Sequence, residues 1–299
     1  MTTHHVLGLS GGKDSAALAV YMRQNHPELD IEYFFTDTGK ELPEVYDFLG
    51  RLEGFLGKPI KRLNPDRDFD FWLRQYGHFL PSANTRWCTR KLKLEPFKQW
   101  IRPWLAAKEK VYSYVAIRAD EEHRVGMVAQ DDNLIVRLPF REAGIDKLGI
   151  LEILDGSGLG LPKYYDWRSR SGCTFCFFQQ KIEWVRLKRT HPEEFEAAKA
   201  YEKTALEHGS PFTWTQRESL EELEMPDRME KIEADFIVRR DRDLASRKLN
   251  PLREVAKEPS DIVGIHFKRT SVLSVQEPID IDGLYLEDEG GGACLVCHK

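Results

Sequence analysis

The sequence predicts an α/β domain with a doubly wound parallel sheet, followed by a helical C-terminal extension. Short apolar runs alternate with segments of helical spacing over roughly the first 150 residues, and a glycine turn directly follows the first apolar run. Because strands separated by helices pair in parallel through right-handed crossovers, this region is expected to form one sheet with helices on both faces. The extension is distinguished by its composition, which is charged and helical in pattern from Gln179 to about Leu249.

The predicted elements follow one another in chain order. Strands are predicted at 4–10, 30–37, 58–64, 111–119 and 134–140. Helices are predicted at 15–24, 43–57 and 90–101, the last interrupted near Pro96, and Pro192 restarts a helix in the extension. A loop rich in glycine and aromatic residues is expected at 155–172, and a further strand at 261–275. The predicted boundaries are 1–190 for the main domain, 191–250 for the helical extension and 251–299 for a C-terminal segment with an acidic, glycine-rich tail.

The composition limits the classes of protein to which the chain can belong. Its 299 residues, 41% of them hydrophobic, are enough to bury a sizeable core. The net charge of −5 means that contact with nucleic acid would require a local basic patch. No apolar run reaches the roughly 18 residues that span a bilayer, and the N-terminus lacks a charged segment followed by an apolar one. The protein is therefore expected to be cytoplasmic, with no membrane partner.

The first glycine turn has the form of a phosphate-binding loop. A strand, then Ser-Gly-Gly at 10–12, then a helix places several backbone N–H groups and a helix N-terminus around one anionic site. This is not a Walker loop, because three residues instead of four separate Gly8 from Gly12, and Lys13 is followed by Asp14 instead of Ser or Thr. The pattern indicates another kind of nucleotide loop.

Six contiguous residues indicate which kind. The stretch "SGGKDS" resembles the pyrophosphate loop of the N-type ATP pyrophosphatases, the PP-loop or adenine nucleotide alpha hydrolase-like superfamily. The resemblance implies a Rossmann-like fold, in which the loop holds the β and γ phosphates while ATP is cleaved between α and β and a substrate atom is adenylylated. The residues that it assigns to ATP are Ser10, Gly11, Gly12, Lys13, Asp14 and Ser15.

Three further segments resemble the phosphoadenylylsulfate (PAPS) reductase family of this superfamily. "FFTDTGKELPEVYDF" at 34–48 is similar to a segment in which a strand end meets the adenine nucleotide, and "TRWCTRKLKLEPF" at 85–97 and "AIRADEEHR" at 116–124 are similar to two basic segments. The resemblance covers about residues 4–190. It implies nucleotide contacts from Asp37, Thr38, Gly39, Arg90 and Lys91, and further bonds to phosphate or sulfate oxygens from Arg86, Arg118 and Arg124.

The five cysteines form a poor disulfide framework, and two C-x-x-C pairs indicate metal or redox sulfur chemistry. Iron–sulfur adenylylsulfate (APS) reductases resemble this arrangement, with Trp87 here in the place of one cysteine. The resemblance implies a 4Fe-4S cluster with one open iron, held by Cys88, Cys173 and Cys176. A zinc site is the alternative, with Cys173, Cys176, Cys294 and Cys297 as ligands, and a third possibility is that no metal binds.

The C-terminal "ACLVCHK" leaves two interpretations open. Reductases of the family end in a mobile Glu-Cys-Gly-Leu-His segment with a reactive cysteine, to which Cys297 and His298 bear a partial similarity. The tail thiols either relay persulfide sulfur or serve a structural metal or no site at all.

The intact loop and the cysteines together predict an ATP-dependent sulfur-transfer enzyme, similar to the tRNA thiolation and DNA phosphorothioation enzymes of the superfamily. Sulfonucleotide reductases have largely lost this loop. Lys13, Asp14, Cys88 and Arg118 are expected to be catalytic, and Asp14 or Asp37 to position Mg²⁺. The expected partners are ATP, a nucleic-acid acceptor guided by basic residues at 166–172 and 185–191, and a cysteine desulfurase or other sulfur donor.

Two other functions remain open. One is thiol-dependent reduction of PAPS or APS, and the other is a non-catalytic, nucleotide-binding subunit of a multi-protein system. The sulfur acceptor is open in the same way, among DNA, RNA and a small molecule.

Overall fold

The structure confirms the predicted class. The computed structural model describes residues 2–64, 66–124, 131–210, 212–215 and 217–248. Its strands are β1 (Thr3–Leu9), β2 (Ile31–Phe35), β3 (Ile60–Arg62), β4 (Lys110–Tyr114) and β5 (Leu134–Arg137). They form one sheet in the order β3-β2-β1-β4-β5, and every pair of neighbours is parallel.

Helices connect the strands and continue beyond the sheet. Those in the sheet region are α1 (Lys13–Asn25), α2 (Pro43–Leu56), α3 (Phe69–Gln75), α4 (Glu95–Ala106), α5 (Pro139–Glu142) and α6 (Lys147–Gly156). A π-helix at Thr89–Leu94 runs into α4, and a 3-10 turn occupies Lys163–Asp166. The extension contains α7 (Lys181–Thr190), α8 (Pro192–Glu207), α9 (Leu220–Leu223) and α10 (Pro226–Lys248).

The strand order places a topological switch point beside β1. From β1 the chain first adds β2 and β3 on one side, then crosses to add β4 and β5 on the other. Loops that leave the carboxyl ends of β1 and β4 therefore diverge around a crevice. Open parallel sheets bind their ligands in such crevices, so the fold itself indicates where the site lies.

Each face of the sheet is covered by its own apolar layer. Val6, Phe34 and Val111 contact one layer, which includes Phe97 and Ile101 of α4. The larger layer, on the opposite face, includes Leu7 of β1 and the helices α1 and α2. This alternation along β1 is what a central strand covered on both faces requires.

The helical extension packs through aromatic residues and one buried carboxylate. Trp184 of α7 and Phe195 of α8 are fully buried, and Trp214 is 2% exposed. Glu202 of α8 accepts hydrogen bonds from the backbone N–H groups of Trp214 at 2.8 Å and Leu220 at 2.5 Å. The carboxylate thus satisfies two buried donors that no regular element would pair.

Several predicted boundaries change in the structure. The strand predicted at 111–119 ends at Tyr114, because the chain then turns, with Glu121 N–H bonded to the Arg118 carbonyl. Pro96 lies in the first turn of α4, directly after the π-helix, so the helical segment changes type near Pro96 and is not broken there. Helices α3, α5 and α6 were not predicted; α5 begins at Pro139, within the strand predicted at 134–140, and Gly149 and Gly156 weaken the helical pattern of α6.

Some predictions fall outside the described residues. These are the strand at 261–275 and the tail with Cys294 and Cys297. The domain boundaries at 190 and 250 remain predictions. Among the helices that the structure describes, none has the length and apolar character needed to cross a membrane.

Candidate nucleotide and thiol site

The glycine loop lies at the carboxyl end of β1, where its backbone must turn sharply. Gly11 has a φ of 72°, in the left-handed region, and a Cβ there would lie 2.5 Å from Val45 Cγ1. Only glycine fits this position without strain. Gly12 is the N-cap of α1 and gives it no side-chain cap, which leaves the helix N-terminus to other partners.

Hydroxyl groups hold the loop's N–H donors. Gly12 N–H donates to Ser10 Oγ at 3.2 Å, and Lys13 N–H donates to the hydroxyl of Tyr165 at 3.2 Å. The hydroxyl of Tyr164 donates to the Gly11 carbonyl at 2.7 Å. The two neighbouring tyrosines thus fasten the loop from a segment far along the chain. A phosphate that binds these amides has to replace the hydroxyl oxygens.

A chain of charges crosses the switch point. Lys13, with a side chain only 1% exposed, places Nζ 2.9 Å from Asp14 Oδ2, while Asp14 Oδ1 accepts from Arg118 Nη1 at 2.9 Å. Arg118 also donates from Nε to Asp120 at 2.9 Å. Burial acts to raise the pKa of Asp14, but the adjacent Lys13 and Arg118 hold it well below its ordinary value. Asp14 is therefore a carboxylate at neutral pH.

The loop after β2 carries two side chains, Thr38 and Asp37, that contact different parts of the protein. Thr38 is 2% exposed, donates to Glu41 Oε1 at 2.9 Å, and has its Oγ1 3.3 Å from Cys173 Sγ. Asp37 accepts from its own loop at Gly39 N–H and from the Tyr46 hydroxyl, at 2.9 and 2.8 Å. Thr38 thus belongs with the thiols, whereas Asp37 secures the turn.

The first C-x-x-C pair is tied to this loop. Glu41 and Cys173 form an isolated antiparallel bridge, and Thr174 N–H donates to the Lys40 carbonyl at 2.7 Å. Within the turn, Cys176 N–H donates to the Cys173 carbonyl at 3.2 Å. Desolvation, and then the nearby Glu41 carboxylate, raise the pKa of Cys173 well above its ordinary value. The thiol form of Cys173 is therefore favoured unless a cation binds it.

A small cavity joins the loop, the threonine and the cysteines. We call it the thiol cavity; its volume is about 80 Å³, and the predicted residues that line it are Ser10, Gly12, Asp14, Thr38, Cys88, Cys173 and Cys176. Cys88 reaches it from the start of the π-helix. Sites that enclose small-molecule ligands are usually about 300 Å³ or more. A nucleotide therefore needs the residues around this cavity to move apart.

The other predicted residues lie around this cavity or away from it. Arg118 and Lys13 contact Asp14, as described above, while Arg124 donates to Glu121 at 2.6 Å. Arg90 donates to the Tyr76 hydroxyl at 2.8 Å and Lys91 to Glu95 at 2.7 Å. These bonds place Arg90 and Lys91 among protein partners, with neither among the residues lining the thiol cavity in the described part of the chain.

Nine further residues line the cavity without having been assigned to the site individually, among them Lys93, Tyr165, Arg170 and Ser171. Arg170 is 6% exposed, stacks on the ring of Phe178 with 5.0 Å from Cζ to the centroid, and has no hydrogen-bond partner at Nη1 among the described residues. Its position inside the basic segment 166–172 was the available signal. Trp87, which replaces a cysteine of the APS reductase pattern, is a core residue that stacks on Tyr76 at 5.2 Å.

The residue type of the cavity's cysteines is the one that ligates iron–sulfur clusters. Cys88, Cys173 and Cys176 line one cavity, and thiolate is the ligand that such clusters take. As placed, no group of three or more Cys, His, Asp or Glu side chains in the described residues is arranged to hold a single metal ion. The zinc alternative depends on Cys294 and Cys297, which lie outside those residues.

A protein family and several curated relatives match parts of the chain. Residues 4–128 match the family described as the phosphoadenosine phosphosulfate reductase domain. Two relatives are from Methanocaldococcus jannaschii: uncharacterized protein MJ0066, 34% identical over 198 residues, and MJ0973, 27% identical over 192 residues. These alignments cover 64% and 62% of this chain, respectively, but only 40% and 44% of the relatives. This chain therefore spans less than half the length of either protein.

A solved structure is also similar to part of the chain. It is the PAPS reductase of Candida auris in a phosphate complex, with a TM-score of 0.45 and 14% sequence identity. The match covers 57% of this chain and 81% of that one.

Proposed function

Residues 4–128 belong to the PAPS reductase-like family of the PP-loop superfamily, and on that premise we propose that the chain is a nucleotide-using enzyme of sulfur chemistry. More specifically, it cleaves ATP to AMP and pyrophosphate in order to activate an acceptor for sulfur transfer. Nucleic acid is the acceptor that we propose. The reaction is an expectation for this chain, which spans only part of its relatives.

One observation carries the proposal: three residues of the "SGGKDS" loop and three cysteines line the same cavity. Ser10, Gly12 and Asp14 come from the loop, and Cys88, Cys173 and Cys176 come from two distant segments. A loop that served only to hold a structural turn would gain nothing from adjacent thiols. An enzyme that adenylylates an acceptor and then sulfurates it needs both groups within reach of one atom.

The described residues support the first half-reaction. The N–H groups of Gly12 and Lys13, at the start of α1, offer donors to the β and γ phosphates, and the Lys13 ammonium adds a buried positive charge. An acceptor oxygen attacks the α-phosphorus as the bond from that phosphorus to the bridging oxygen breaks. The acceptor loses its proton, and pyrophosphate leaves. Asp14, ionised and lining the cavity, is the carboxylate that would hold Mg²⁺ on these oxygens.

The second half-reaction replaces AMP with sulfur. A sulfur nucleophile at the oxidation level of sulfide forms its bond to the activated acceptor atom, and AMP leaves with the bonding electrons and the former acceptor oxygen. The thiols of the cavity would serve as ligands of the group that binds this sulfide. A 4Fe-4S cluster held by Cys88, Cys173 and Cys176 would supply an iron site for an external sulfide.

The test is pyrophosphate release from ATP, measured with Lys13→Ala and with Lys58→Ala as a matched control. Lys58 pairs with Asp30 at the surface and is 40% exposed at its side chain. Removing the loop's cation should lower the rate by about a hundredfold or more, as the loss of a preorganised charge at a phosphoryl site does. The control should retain the wild-type rate.

Two results would count against the proposal. Sulfite released from PAPS with no turnover of ATP indicates the reductase. Nucleotide binding with neither reaction, together with full activity of a partner system carrying Lys13→Ala, indicates the non-catalytic subunit.

A further inference from the structure

The segment from Tyr164 to Cys173 connects the glycine loop to the C-x-x-C turn. At its start, the hydroxyl groups of Tyr164 and Tyr165 form hydrogen bonds to the loop backbone, at 2.7 and 3.2 Å. At its end, Cys173 pairs with Glu41 through an antiparallel bridge. The proposed reaction uses both ends, because ATP binds at the loop and the thiols lie at the turn, but it gives the connection between them no role.

This segment occupies positions that phosphate oxygens need. Lys13 N–H donates to the Tyr165 hydroxyl at 3.2 Å, and Ser171 Oγ donates to Ser10 Oγ at 3.2 Å. A Cβ added to Gly12 would lie only 2.7 Å from Ser171 Oγ, so this side chain is in close contact with the loop backbone. Because the thiol cavity has a volume of only about 80 Å³, a triphosphate that binds the loop amides has to displace Tyr165 and Ser171.

The middle of the segment is anchored to α7. Ser169 donates to Glu183 Oε1 from both its N–H and its hydroxyl group, at 2.7 Å each, and Glu183 is fully buried. The backbone at Ser169 therefore resists a displacement that starts at the tyrosines. A movement at the glycine loop reaches the C-x-x-C turn through contacts that bypass this anchor.

Arg168 makes such contacts. Its backbone N–H donates to the Tyr164 carbonyl at 2.9 Å, and its guanidinium donates to the carbonyls of Gly172 at 3.1 Å and Cys173 at 2.7 Å. The residue is 1% exposed, and its planar guanidinium holds the two acceptors in a fixed arrangement. One residue therefore joins Tyr164 to the backbone of Cys173, on the far side of the anchor at Ser169.

The environment of the Cys173 thiol depends on the position of this backbone. Sγ lies 3.3 Å from Thr38 Oγ1 and 3.7 Å from Glu41 Oε1, and the residue is half-buried. A displacement of Cys173 from the loop after β2 separates the thiol from both side chains. The thiol then becomes more accessible to a reagent in solution.

From these contacts we infer that Arg168 is a positioning residue, which couples the binding of a nucleoside triphosphate at the glycine loop to the exposure of Cys173. Because such coupling is reciprocal, displacement of the C-x-x-C turn also favours triphosphate binding. The inference rests on the proposed function, since it requires ATP at this loop. It gives the proposed reaction an order, in which the thiols or the group that they hold stay covered until the nucleotide has bound.

The test measures how fast iodoacetamide alkylates Cys173 in the full chain after metal has been removed by chelation. Mass spectrometry of the peptides assigns the modification to each cysteine. The rate is compared without nucleotide and with saturating α,β-methylene-ATP, in which a stable methylene group replaces the bridging oxygen between the α and β phosphates. We expect the nucleotide to raise the rate in the wild type by about fivefold or more, as coupling between two sites commonly does. A rate that is unchanged or lower with nucleotide overturns the inference.

Arg168→Met should bind the analogue, as measured by calorimetry, but show no rise in the alkylation rate. Arg51→Met is the matched control and should keep the rise, because Arg51 also donates to a backbone carbonyl, that of Leu159 at 3.0 Å, but lies exposed on α2. If Arg168 only held the turn closed, Arg168→Met without nucleotide would react as fast as the nucleotide-bound wild type. That result overturns the inference.

A second variant covers the case in which Arg168→Met does not fold. Arg168→Lys keeps the charge but has one ammonium group in place of the planar fork, so it should show a smaller rise than the wild type. An undiminished rise in Arg168→Lys would contradict the role of the fork and overturn the inference.

Pyrophosphate release from ATP is assayed on the same preparations, which separates this inference from the proposed function. A nucleotide-dependent rise at Cys173 that Arg168→Met removes, without pyrophosphate release, supports the coupling and overturns the sulfur-transfer proposal. Pyrophosphate release by a chain in which Cys173 does not respond to the nucleotide does the reverse.

Discussion

Asp14 illustrates how one side chain connects two halves of the sheet. It accepts from Arg118, which follows β4, and pairs with its own neighbour Lys13 at the start of α1. Neither cation is exposed enough to rely on water for its solvation, since Lys13 is 1% exposed and Arg118 is 9% exposed. The carboxylate therefore compensates two buried positive charges and also lines the thiol cavity.

Replacing Asp14 with Asn should destabilise the fold by about 3 kcal/mol at neutral pH, because the buried Lys13 ammonium would lose the carboxylate that lies 2.9 Å away. Asp120→Asn is the matched control: Asp120 also accepts from Arg118, but its side chain is 41% exposed, so a much smaller loss is expected. Urea unfolding of the three proteins measures the difference. Equal losses for the two variants would show that the Lys13 contact does not matter.

The pH dependence of this loss has a definite sign. The folded-state pKa of Asp14 lies below its unfolded value of about 3.9, so its contribution to stability is full above that pH and falls as the pH drops toward the folded value. The gap between wild type and Asp14→Asn should therefore narrow in acid. A gap that stayed constant from neutral pH to strong acid would exclude the ion pairs as its cause.

At the scale of elements, the segment from Tyr164 to Cys173 acts as a cover on the glycine loop. Its two tyrosines bond Gly11 and Lys13, and Ser171 Oγ donates to Ser10 Oγ at 3.2 Å. The same segment leads directly into the C-x-x-C turn. Any movement that admits a nucleotide to the small thiol cavity therefore also bears on the position of Cys173.

Tyr165→Phe should strengthen ATP binding, by roughly three- to tenfold, because phosphate would no longer displace a hydroxyl from the Lys13 amide. Tyr164→Phe is the control. The Tyr164 hydroxyl donates to the Gly11 carbonyl, so it does not occupy an N–H group that a phosphate would bind. Calorimetric titration with ATP measures both. Weaker ATP binding by Tyr165→Phe would mean that the Tyr165 hydroxyl donates a hydrogen bond to the nucleotide. The segment from Tyr164 to Cys173 would then contact ATP directly.

At the scale of the whole molecule, the fold gathers cysteines from two distant segments beside one loop. Cys88 comes from the π-helix before α4, and the C-x-x-C turn follows the aromatic loop after α6. The bridge between Glu41 and Cys173 holds that turn against the loop after β2. The position of Cys173 therefore depends on the contact between the loop after β2 and the C-x-x-C turn.

Anaerobic purification followed by metal analysis tests what these thiols bind. We expect a brown protein with about four irons per chain, which Cys173→Ala should lose. The double variant Cys294→Ala/Cys297→Ala should keep its iron if the cluster uses only the three cavity thiols. Stoichiometric zinc that disappears in the double variant would instead assign the metal to the alternative site with the tail.

The order of strands and helices in the sheet region followed from local patterns. Apolar runs, a glycine loop and proline at helix starts are properties of neighbouring residues, so they predicted a parallel sheet with a glycine loop after β1. Boundaries were less accurate where tertiary contacts end an element, as at Tyr114, or where glycines obscure a helix, as in α6. The residues of the loop itself needed no tertiary information to be found.

The sequence by itself determined the glycine loop and its family resemblance, because "SGGKDS" is a contiguous motif that can be recognised without tertiary information. Only the tertiary structure decided which distant groups share its cavity. In the structure, Asp37 accepts a hydrogen bond within its own loop and Arg118 pairs with Asp14. Tyr165 and Arg170 line the cavity beside the glycine loop. Those contacts join residues far apart in the chain, and they depend on the crossing at the switch point and on packing of the extension, which spacing along a sequence does not record.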